Sequence, residues 1–533
     1  MMRRMMCGMM AALMGLAMSA PAAAAVVAGT LEAVSPETRE LTVRVGKQQV
    51  RTTFKLAPTA EITLQGKKAD LNQLQAGQLV TVTTSTQGNL ATKIAARIPA
   101  EPAAEKPDKT ETADKPDKAE KPARSAPAKS RNRKDLAEEP TQVAPGDWPQ
   151  FRGPTRDLHS AETGLLTEWP PQGPELLWKV DGLGEGYSSV SIAGETIYTM
   201  GTIGDDEHLF ALSKADGSRR WTVRTGANRP DGTGNGPRST PTVDGEFVYA
   251  LGAHGDLVCA HADSGEIVWR MNVVKEARGD VPTWGICESV LIDGDKLICT
   301  PGGSAATMVA LNKRTGKPLW ATTVDGRPAA AYSSPIVIEA GGVRQYVNFV
   351  HTGVVGIRAS DGKPLWMRSE SANGTANCSS PLYADGHVFT ASAYGTGGAL
   401  FRLASSGGQT RAELVFETKQ MKNHHGGMLL LDGHVYGFDE GVLTCLNLST
   451  GRPAWQNRSV GKGSLAYADG HLYLRSEEGP LALAEATPRA YVEKGRFSQP
   501  ERSGRPAWAH PVVAGGRLYI RDQDKLFVFN VKN

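Results

Sequence analysis

The composition of the 533-residue chain favours neither a strongly charged partner nor dithiol chemistry. Its 59 Lys and Arg residues nearly balance its 56 Asp and Glu residues, so the formal net charge is only +3. This near neutrality predicts no nucleic-acid partner. The chain has six cysteines, none in a Cys-x-x-Cys pair, which excludes the common zinc and thioredoxin-like motifs. No apolar run has the length that a membrane span needs, so none is predicted.

Common catalytic signatures are missing as well. The Gly-rich stretch 231–238, DGTGNGPR, lacks the Gly-Lys-Ser/Thr ending of a phosphate-binding loop, and no predicted helix follows it. Neither Gly-x-Ser-x-Gly nor His-Glu-x-x-His occurs. The sequence therefore offers no local signature of phosphoryl transfer, serine hydrolysis or zinc proteolysis.

The first 25 residues have the layout of a secretory signal peptide. A basic start, MMRR, precedes a short apolar run and a set of small residues that ends at Ala25. This arrangement is typical of a cleaved leader and not of a membrane anchor. We expect a periplasmic or secreted protein, and nothing in the sequence requires it to be other than a monomer.

Two segments are expected between the leader and the main domain. Residues 26–98 form short alternating runs separated by Gly, Pro and Asn, which predicts a small β-barrel or sandwich. This segment resembles the small OB-like barrels of bacterial envelope proteins, which implies an interaction or spacer module. Residues 99–146 are rich in Pro, Ala, Lys and Glu without apolar periodicity, so they are interpreted as a disordered linker.

One eleven-residue pattern then recurs along the chain. Residues 310–320 read ALNKRTGKPLW: an alternating run, a polar turn with glycine, and a closing tryptophan. A glycine with positive φ suits such a hairpin turn, and a tryptophan at a fixed offset would point the same way in every copy and lie between neighbouring repeats. The glycine stands four residues before the tryptophan in five copies: Gly217/Trp221, Gly265/Trp269, Gly316/Trp320, Gly362/Trp366 and Gly451/Trp455.

The repeats predict an eight-bladed β-propeller over residues 147–533. Eight short openings, such as SSVSIAG and STPTVDG, recur at the spacing of four-stranded blades. The last repeat ends one strand short, and the stretch LLWKV (176–180) precedes the first repeat, with Trp178 in the motif position. Pairing this stretch into the last blade would close the ring and remove both sheet edges. The segment before it, with Trp148, Phe151 and Trp169, is expected to lie as a strap across the propeller.

The motif tryptophans are predicted to be structural residues of the blades. They recur because the fold recurs, so they are not candidates for a ligand site. The six are Trp178, Trp221, Trp269, Trp320, Trp366 and Trp455.

The repeat resembles that of the PQQ-binding-like, quinoprotein-type propellers. The stretches DWPQFRGP, GKGSLAYADG and RSGRPAWAHPVVAGGRLYIRDQD strengthen the resemblance to exported proteins of planctomycete type. It implies a distant relationship both to quinoprotein alcohol dehydrogenases and to the outer-membrane assembly lipoprotein, which binds no quinone. The dehydrogenases hold Ca²⁺ with Glu, Asn and Asp beside an adjacent Cys-Cys disulfide. No two cysteines are adjacent here, and Glu288, Asn377 and Asp280 are the nearest candidates for the calcium ligands.

Aligning the repeat openings predicts one ligand site at the mouth of the central channel. Aromatic rings and cations at this mouth would suit a planar or anionic ligand. A metal site built on His425, His510 and Glu288 is a weaker alternative, since adjacent histidines on an extended segment point in opposite directions. The candidate site residues are Tyr187, Arg238, Trp284, Glu288, Tyr332, His425, Lys462, Trp508 and His510.

Two functions of different class remain open from the sequence, and a metal-dependent hydrolase centred on His425 and His510 is a third, weaker alternative. The first is a non-catalytic binding or assembly scaffold with an envelope protein or cell-wall partner and no cofactor. The second is an oxidoreductase that uses PQQ with calcium to oxidise alcohols or sugars at the channel mouth. The repeat determines the expected fold and leaves this choice undecided.

Overall fold

The computed structural model describes residues 26–45, 50–64, 67–76, 78–84, 90–97, 143–230 and 234–533. The chain divides into two compact units, Met1–Lys129 and Ser130–Asn533. The predicted leader and residues 99–142 of the predicted linker lie outside the described residues. In the part that the structure describes, no helix is long and apolar enough to cross a membrane.

The described residues of the first unit form one small β-sheet. It runs in the order β2-β1-β5-β6-β3-β4, and β2 also pairs with β3, so the sheet closes on itself. The β3–β6 pairing is parallel and the other pairings are antiparallel. A 3-10 turn, Leu71–Gln73, lies between β4 and β5. The strands are Val26–Ser35 (β1), Glu40–Val45 (β2), Val50–Leu64 (β3), Lys67–Lys68 (β4), Leu79–Thr84 (β5) and Leu90–Arg97 (β6).

Alternation along these strands builds the core of this unit. Every second side chain of a strand faces the same side of a sheet, and here the apolar side faces inward. The inward residues include Leu41, Val43 and Phe54, each 1% exposed or less. Thr42 lies between the first two and is bonded to Thr53 on the outer side, with 3.0 Å between the hydroxyl oxygens.

The described residues of the second unit form eight sheets, whose strands pair antiparallel with one exception in sheet 7. Two short strands come first along the chain, His159–Ser160 (β7) and Leu176–Val180 (β8). The only α-helix among the described residues is the single turn Val273–Glu276 (α1). The strands of sheets 1 to 4 are Ser191–Ala193 (β9), Thr196–Ile203 (β10), Asp206–Ser213 (β11), Arg219–Ala227 (β12); Thr242–Asp244 (β13), Phe247–Leu251 (β14), Asp256–His261 (β15), Ile267–Asn272 (β16); Leu291–Asp293 (β17), Lys296–Cys299 (β18), Met308–Asn312 (β19), Pro318–Thr322 (β20); and Ile336–Ala340 (β21), Val343–Val350 (β22), Gly353–Arg358 (β23), Pro364–Arg368 (β24).

Sheets 5 to 8 repeat the same plan with two additions. Strand β7 joins sheet 7 beside β33, and β8 completes sheet 8 beside β39. The strands of these sheets are Leu382–Ala384 (β25), His387–Ser392 (β26), Gly397–Ser406 (β27), Gln409–Thr418 (β28); Met428–Leu431 (β29), His434–Asp439 (β30), Val442–Asn447 (β31), Arg452–Asn457 (β32); Gly463–Ala468 (β33), His471–Ser476 (β34), Pro480–Glu485 (β35), Glu493–Ser498 (β36); and Val512–Ala514 (β37), Arg517–Asp522 (β38), Lys525–Asn530 (β39).

These sheets make the unit an all-β propeller. The first strand of one sheet contacts the first strand of the next, for example β9 with β13 and β29 with β33. The predicted pairing of the stretch 176–180 into the last sheet is confirmed, with Trp178 opposite Val528. The strand that precedes the first repeat is therefore linked by backbone hydrogen bonds to the C-terminal strand.

Four of the six motif tryptophans pack against the glycine turn of the next sheet. A Cβ atom on Gly316 would lie 2.9 Å from the Trp269 indole. This glycine has a positive φ of +69°. The glycine of the motif thus leaves room for the tryptophan ring of the preceding sheet, and the two sheets make contact there. The four pairs are Trp178 with Gly217, Trp221 with Gly265, Trp269 with Gly316, and Trp320 with Gly362.

The expectation that every copy makes the same contact is wrong for Trp366. Its indole Nε1 donates to Gln345 Oε1 at 2.8 Å, within its own sheet, and the ring lies against Gly356 of β23. A Cβ atom on Gly407, in the turn of sheet 5, would meet nothing within 4 Å. A buried polar partner therefore holds this indole, because the longer hairpin of sheet 5 does not bring its glycine turn against the ring.

Trp455 also departs from the common contact, since the stretch that follows β35 has no motif glycine. Its indole Nε1 donates to the Thr487 carbonyl at 2.8 Å, and its ring centroid lies 5.9 Å from that of Tyr491. Both partners belong to the connection between β35 and β36 of sheet 7. Trp455 therefore does lie between neighbouring sheets, but against an aromatic ring in place of a glycine.

Hydroxyl groups at the repeat openings connect the innermost strands. The Ser189 amide donates to Thr240 Oγ1 at 3.2 Å, and the Thr240 amide donates to Ser289 Oγ at 2.8 Å. The Ser289 amide donates in turn to Ser334 Oγ at 2.9 Å. On the other side, Ser189 Oγ donates to the His510 carbonyl at 2.8 Å. The small polar residues of the openings therefore connect sheet 8 to sheet 1, and sheets 1 to 4 each to the next.

Candidate functional site

A cavity of about 470 Å³ opens where the loops before the innermost strands converge. Its volume falls within the range of about 300–1,000 Å³ that is typical of small-molecule sites. Its lining is mostly aromatic and apolar. The lining residues are Phe151, Tyr187, Ser189, Arg238, Thr240, Trp284, Cys287, Tyr332, Ser334, Ala376, Cys378, Tyr394, His424, His425, Pro506, Trp508 and His510.

The strap before the first repeat supplies part of the inner end of this cavity. Trp148, 2% exposed, exchanges backbone hydrogen bonds with Ile192 of β9. Arg152, also 2% exposed, donates from Nη2 to the Met428 carbonyl at 2.8 Å. Phe151, between these two anchors, lines the cavity with its ring centroid 5.2 Å from that of His510.

Arg156 fixes the strap on a third sheet. Its guanidinium donates to the Ser289 carbonyl at 2.8 Å and to the Val290 carbonyl at 3.0 Å. Burial lowers the pKa of Arg156 to about 9, and the charge of Glu288 opposes this shift. The strap therefore spans innermost strands of sheets 1, 3 and 6 and blocks the channel below the cavity.

Aromatic rings form much of the cavity wall. The rings of Tyr187 and Trp508 lie 4.4 Å apart between centroids, with 32° between their planes. The Arg238 guanidinium lies over both rings, 5.2 Å from Tyr187 and 5.9 Å from Trp508. Trp284 and Tyr332 form a second pair at 5.4 Å. Three repeat openings and one longer loop thus contribute aromatic rings to the cavity wall, and a cation lies against two of these rings.

His425 extends this wall and is linked to a charged pair. Its ring lies 5.1 Å from Trp508, and its Nε2 lies 2.5 Å from Glu477 Oε1. Lys462 Nζ lies 3.1 Å from the same carboxylate oxygen. Burial tends to raise the pKa of Glu477, but the hydrogen bond and charge of His425 and the charge of Lys462 lower it to about 2. Glu477 is therefore ionised near neutral pH and balances Lys462.

The histidines of the wall have lowered pKa values, which suits them to hydrogen bonding and not to acid–base chemistry. Burial lowers the pKa of His510 to about 4 and that of His424 to about 3. Burial also lowers the pKa of His425, against the effect of Glu477. His510 Nε2 lies 2.8 Å from the His425 carbonyl oxygen, so this nitrogen carries the hydrogen of the neutral ring. Near neutral pH these imidazoles therefore act as uncharged hydrogen-bonding groups.

The Cys378 thiol in the wall is not an activated nucleophile. Cys287 and Cys378 are both free cysteines and both line the cavity. Burial raises the pKa of Cys378 well above its ordinary value. A protonated thiol is a poor nucleophile. Cys259, Cys299 and Cys445 are fully buried in strands, as their apolar surroundings in the sequence predicted.

Two predicted site residues do not line the cavity. Glu288 is 3% exposed and does not line the cavity, because both its carboxylate oxygens accept the Thr300 amide hydrogen, at 2.9 and 3.0 Å. Lys462 also lies outside the lining, since its ammonium group binds Glu477. The other seven are brought together: Tyr187, Arg238, Trp284, Tyr332, His425, Trp508 and His510.

The six motif tryptophans do not line the cavity. Each stands on the strand of its sheet that is farthest from the innermost strand, whereas the cavity is formed by loops that lead into the innermost strands. Their role is therefore in packing and not in the site. They are Trp178 (β8), Trp221 (β12), Trp269 (β16), Trp320 (β20), Trp366 (β24) and Trp455 (β32).

Ten of the lining residues were not among the predicted site residues, and three of these ten carry aromatic rings. Phe151 belongs to the strap, whose aromatic residues did indicate contact with the propeller. His424 adjoins His425 in sequence and is 3.0 Å from the Tyr394 hydroxyl. Tyr394 lies between β26 and β27, away from the repeat openings, so aligning those openings could not find it. Among the described residues, no group of three or more His, Cys, Asp and Glu side chains is arranged to hold a metal ion.

A second cavity, of about 590 Å³, lies at the other end of the innermost strands and is lined by the strap and by strand-end turns. Four of its charged groups form two pairs: Lys313 Nζ lies 2.6 Å from Asp244 Oδ2, and Arg344 binds Asp293. This cavity therefore has less to offer a ligand than the aromatic one.

Comparison with known proteins relates the repeats to characterised propellers. Residues 228–457 match the family described as outer membrane protein assembly factor BamB. None of the curated proteins compared with the chain matches its sequence. The quinohemoprotein alcohol dehydrogenase of Comamonas testosteroni is 12% identical, with a TM-score of 0.52 over 73% of this chain and 81% of that one.

Two further solved structures are similar over comparable lengths. BamB from Moraxella catarrhalis is 15% identical, with a TM-score of 0.48 over 67% of this chain and 99% of that one. Sqt1 from Saccharomyces cerevisiae is 13% identical, with a TM-score of 0.48 over 68% of this chain and 100% of that one. At such identities structural likeness concerns the fold alone. Over part of its length this chain is thus similar to the PQQ-like β-propeller proteins.

Proposed function

We propose that the chain is an exported, non-catalytic propeller that binds an envelope protein or cell-wall partner at the mouth of its central channel. The observation that carries this proposal is the composition of the cavity wall. It combines stacked aromatic rings and one cation with neutral histidines and a buried, protonated thiol. Such a surface can hold a ligand by stacking and charge, but its histidines and Cys378 are poorly suited to general-base or nucleophilic chemistry.

The same proposal includes the number of blades, the closure of the ring and the fold of the first unit. Eight sheets, with β8 paired to β39, support eight blades closed into a ring by the N-terminal strand. The order β1-β2-β3-β6-β5-β1, with β3 and β6 parallel, supports an OB-like barrel for residues 26–98. In this proposal the leader directs export, residues 99–146 act as a tether, and the protein is a monomer. The description of the matching repeat family as an assembly factor supports a protein partner.

The alternative, an oxidoreductase using PQQ and calcium, requires oxygen ligands that the wall does not offer. Ca²⁺ takes about six to eight oxygen ligands, with carboxylates prominent among them. Among the described residues, none that lines the cavity is Asp, Glu, Asn or Gln. Glu288 is hydrogen-bonded to Thr300, and the Asn377 amide donates to the His351 carbonyl at 2.9 Å. The donor set therefore does not fit a calcium-bound quinone, and we derive no redox step.

Site-specific photocrosslinking would test the proposed scaffold. A photoreactive phenylalanine at Tyr394, which is 48% exposed at the mouth, should capture the partner in intact cells. The same group at Leu414, an exposed apolar position of β28, is the matched control. The purified partner should then bind the purified full chain, and Trp508→Leu should weaken this binding.

Titration with the cofactor decides between the two functions. The purified full chain is mixed with PQQ and Ca²⁺, and absorbance and the reduction of a dye by alcohols or sugars are followed. Absence of saturable cofactor binding, together with capture at position 394 and not at 414, is the expected result. Saturable binding with substrate-dependent dye reduction would replace the scaffold with the oxidoreductase.

A further inference from the structure

Four rings form a continuous band in the cavity wall. The centroids of Tyr394 and His424 lie 5.2 Å apart, and those of His424 and His425 lie 4.6 Å apart. Trp508 continues the band, with its ring 5.1 Å from that of His425. Tyr394 is 48% exposed, and the other three residues are partly buried. All four line the cavity, so the band meets whatever enters from the mouth.

The exposed end of this band can both donate and accept hydrogen bonds. The Tyr394 hydroxyl lies 3.0 Å from His424 Nε2, and burial lowers the pKa of His424 to about 3, so its ring is neutral near neutral pH. If the hydroxyl donates to Nε2, the Nδ1 hydrogen and a lone pair of the hydroxyl oxygen are left for a ligand. If Nε2 donates instead, Nδ1 accepts and the hydroxyl hydrogen is left. Either tautomer therefore offers one donor and one acceptor.

These features together fit a sugar ring. A sugar hydroxyl both donates and accepts, whereas a carboxylate only accepts and an ammonium group only donates. The C–H groups of a sugar carry small positive partial charges, which suit the negative face of a ring such as Trp508. A flat heteroaromatic ligand gains most between two rings about 7 Å apart. Trp508 and Tyr187 are only 4.4 Å apart, so no third ring enters between them.

We propose that this cavity binds a glycan of the cell wall, with one sugar ring against Trp508 and sugar hydroxyl groups at Tyr394 and His424. This inference rests on the proposed scaffold function and takes the cell-wall partner from the two partner classes named there. The band is longer than one sugar ring, because it contains four rings with successive centroids 4.6 to 5.2 Å apart. Successive sugar residues therefore contact it, and a trisaccharide binds more tightly than a monosaccharide.

Calorimetric titration of the full chain with defined sugars tests this assignment. The probes are the β-1,4-linked trimers of glucose and of N-acetylglucosamine, and their matched controls are the two monosaccharides. Glucitol, which has hydroxyl groups but no closed ring, is the control for stacking. At least one trimer should bind saturably and about three- to tenfold more tightly than its monosaccharide, because a further ring contact is made. Glucitol should not bind. This comparison uses the unaltered protein and so does not depend on the folding of a variant.

Substitutions then locate the contact. Trp508→Leu should weaken binding of the trimer about tenfold, because the stacking surface is lost. Tyr394→Phe keeps the ring and removes the hydroxyl group, so it should weaken binding about two- to tenfold. Tyr467→Phe removes a hydroxyl group on β33, outside the cavity lining, and should leave binding unchanged. Melting curves of each variant show whether the fold is intact.

Three results would overturn the inference. One is that neither trimer binds; capture of a protein at position 394 would then leave the scaffold function standing with a protein partner. Another is that a monosaccharide binds as tightly as its trimer, since the ligand would then be a free sugar. The third is that Trp508→Leu and Tyr394→Phe both bind the trimer like the unaltered protein, since the sugar would then lie elsewhere. Saturable binding of PQQ with calcium and substrate-dependent dye reduction would instead reject the scaffold function itself.

Discussion

At the scale of the residue, the structure gives Glu288 a different role from the one its position at a repeat opening indicated. Its carboxyl group is buried among the innermost strands, accepts the Thr300 amide hydrogen, and lies close enough to Arg156 for their charges to interact. Burial raises its pKa to about 8 although the hydrogen bond and Arg156 oppose the shift. Glu288 therefore spends much of the neutral range protonated in the folded protein.

The pH dependence of stability follows from that shift. A raised carboxyl pKa means that the folded state holds its proton while the unfolded state, with a pKa near 4.5, releases it. The free energy of unfolding should therefore fall as pH rises from about 4.5 to 8, by about 1.4 kcal/mol for each unit of pKa difference. Glu288→Gln should remove this contribution, as judged by urea unfolding between pH 5 and 8.

Glu207 provides the matched comparison. Burial also raises its pKa, to about 7, so Glu207→Gln should remove a smaller part of the same slope, confined to lower pH. All ten tryptophans lie within residues 147–533, so their fluorescence reports on the propeller unit. A slope unchanged by Glu288→Gln would show that the carboxyl group titrates at its ordinary pKa in the folded protein.

At the scale of the element, the repeated motif joins neighbouring sheets by a packing contact. An indole needs a surface without a side chain, and a glycine turn of the next sheet supplies it, as Gly316 does for Trp269. At the last glycine turn of the pattern, Phe416 takes the place of tryptophan and packs on Gly451. Sheet 5 therefore keeps the contact with a smaller ring, although its outer strand lacks the tryptophan of the pattern.

Gly316→Ala should destabilise the propeller by about 2–4 kcal/mol. Two effects add: an alanine at φ +69° is strained by about 1 kcal/mol, and its Cβ would overlap the Trp269 indole, at a cost of about 1–3 kcal/mol. Gly294→Ala separates the two effects, because Gly294 has φ +59° but nothing within 4 Å of a Cβ. Urea unfolding should show a larger loss for the first variant. Equal losses would mean that the indole contact contributes nothing.

At the scale of the whole molecule, the two ends of the propeller unit are joined by strand β8. It pairs with the C-terminal strand β39, and the Trp178 indole lies over Gly217 of sheet 1. This one strand therefore links the last sheet to the first. The strap adds further long-range contacts, through Arg152 to sheet 6 and through Arg156 to sheet 3.

Trp178→Ala should lower the stability of the whole unit, and not of one sheet, by about 3 kcal/mol, because a large ring at the junction is lost. Leu176→Ala in the same strand is the control, since Leu176 is 41% exposed and should cost less than about 1 kcal/mol. Calorimetry should show one transition at a lower temperature for the first variant. A melting temperature equal to that of the control would contradict a closing role for this strand.

The sequence by itself determined the propeller fold and the pairing of strand 176–180 with the last repeat. Both depend on features that repeat locally: alternating strands, a glycine turn, and a tryptophan four residues later. The same local alignment brought seven candidate residues to one cavity, including Tyr187, Arg238 and Trp508. The blade count and the OB-like barrel stay predictions that the strand pairings support.

Only the tertiary structure decided which polar groups face the cavity and which segment lies at its inner end. Glu288 and Lys462 stand at the expected places along the chain, but Thr300 and Glu477 hold their side chains elsewhere. Trp366 likewise stands at its motif position, but Gln345 of its own sheet binds its indole. The strap blocks the channel through contacts between residues more than 100 positions apart. No local pattern encodes such contacts, because the partners of a buried polar group depend on the packing of distant strands.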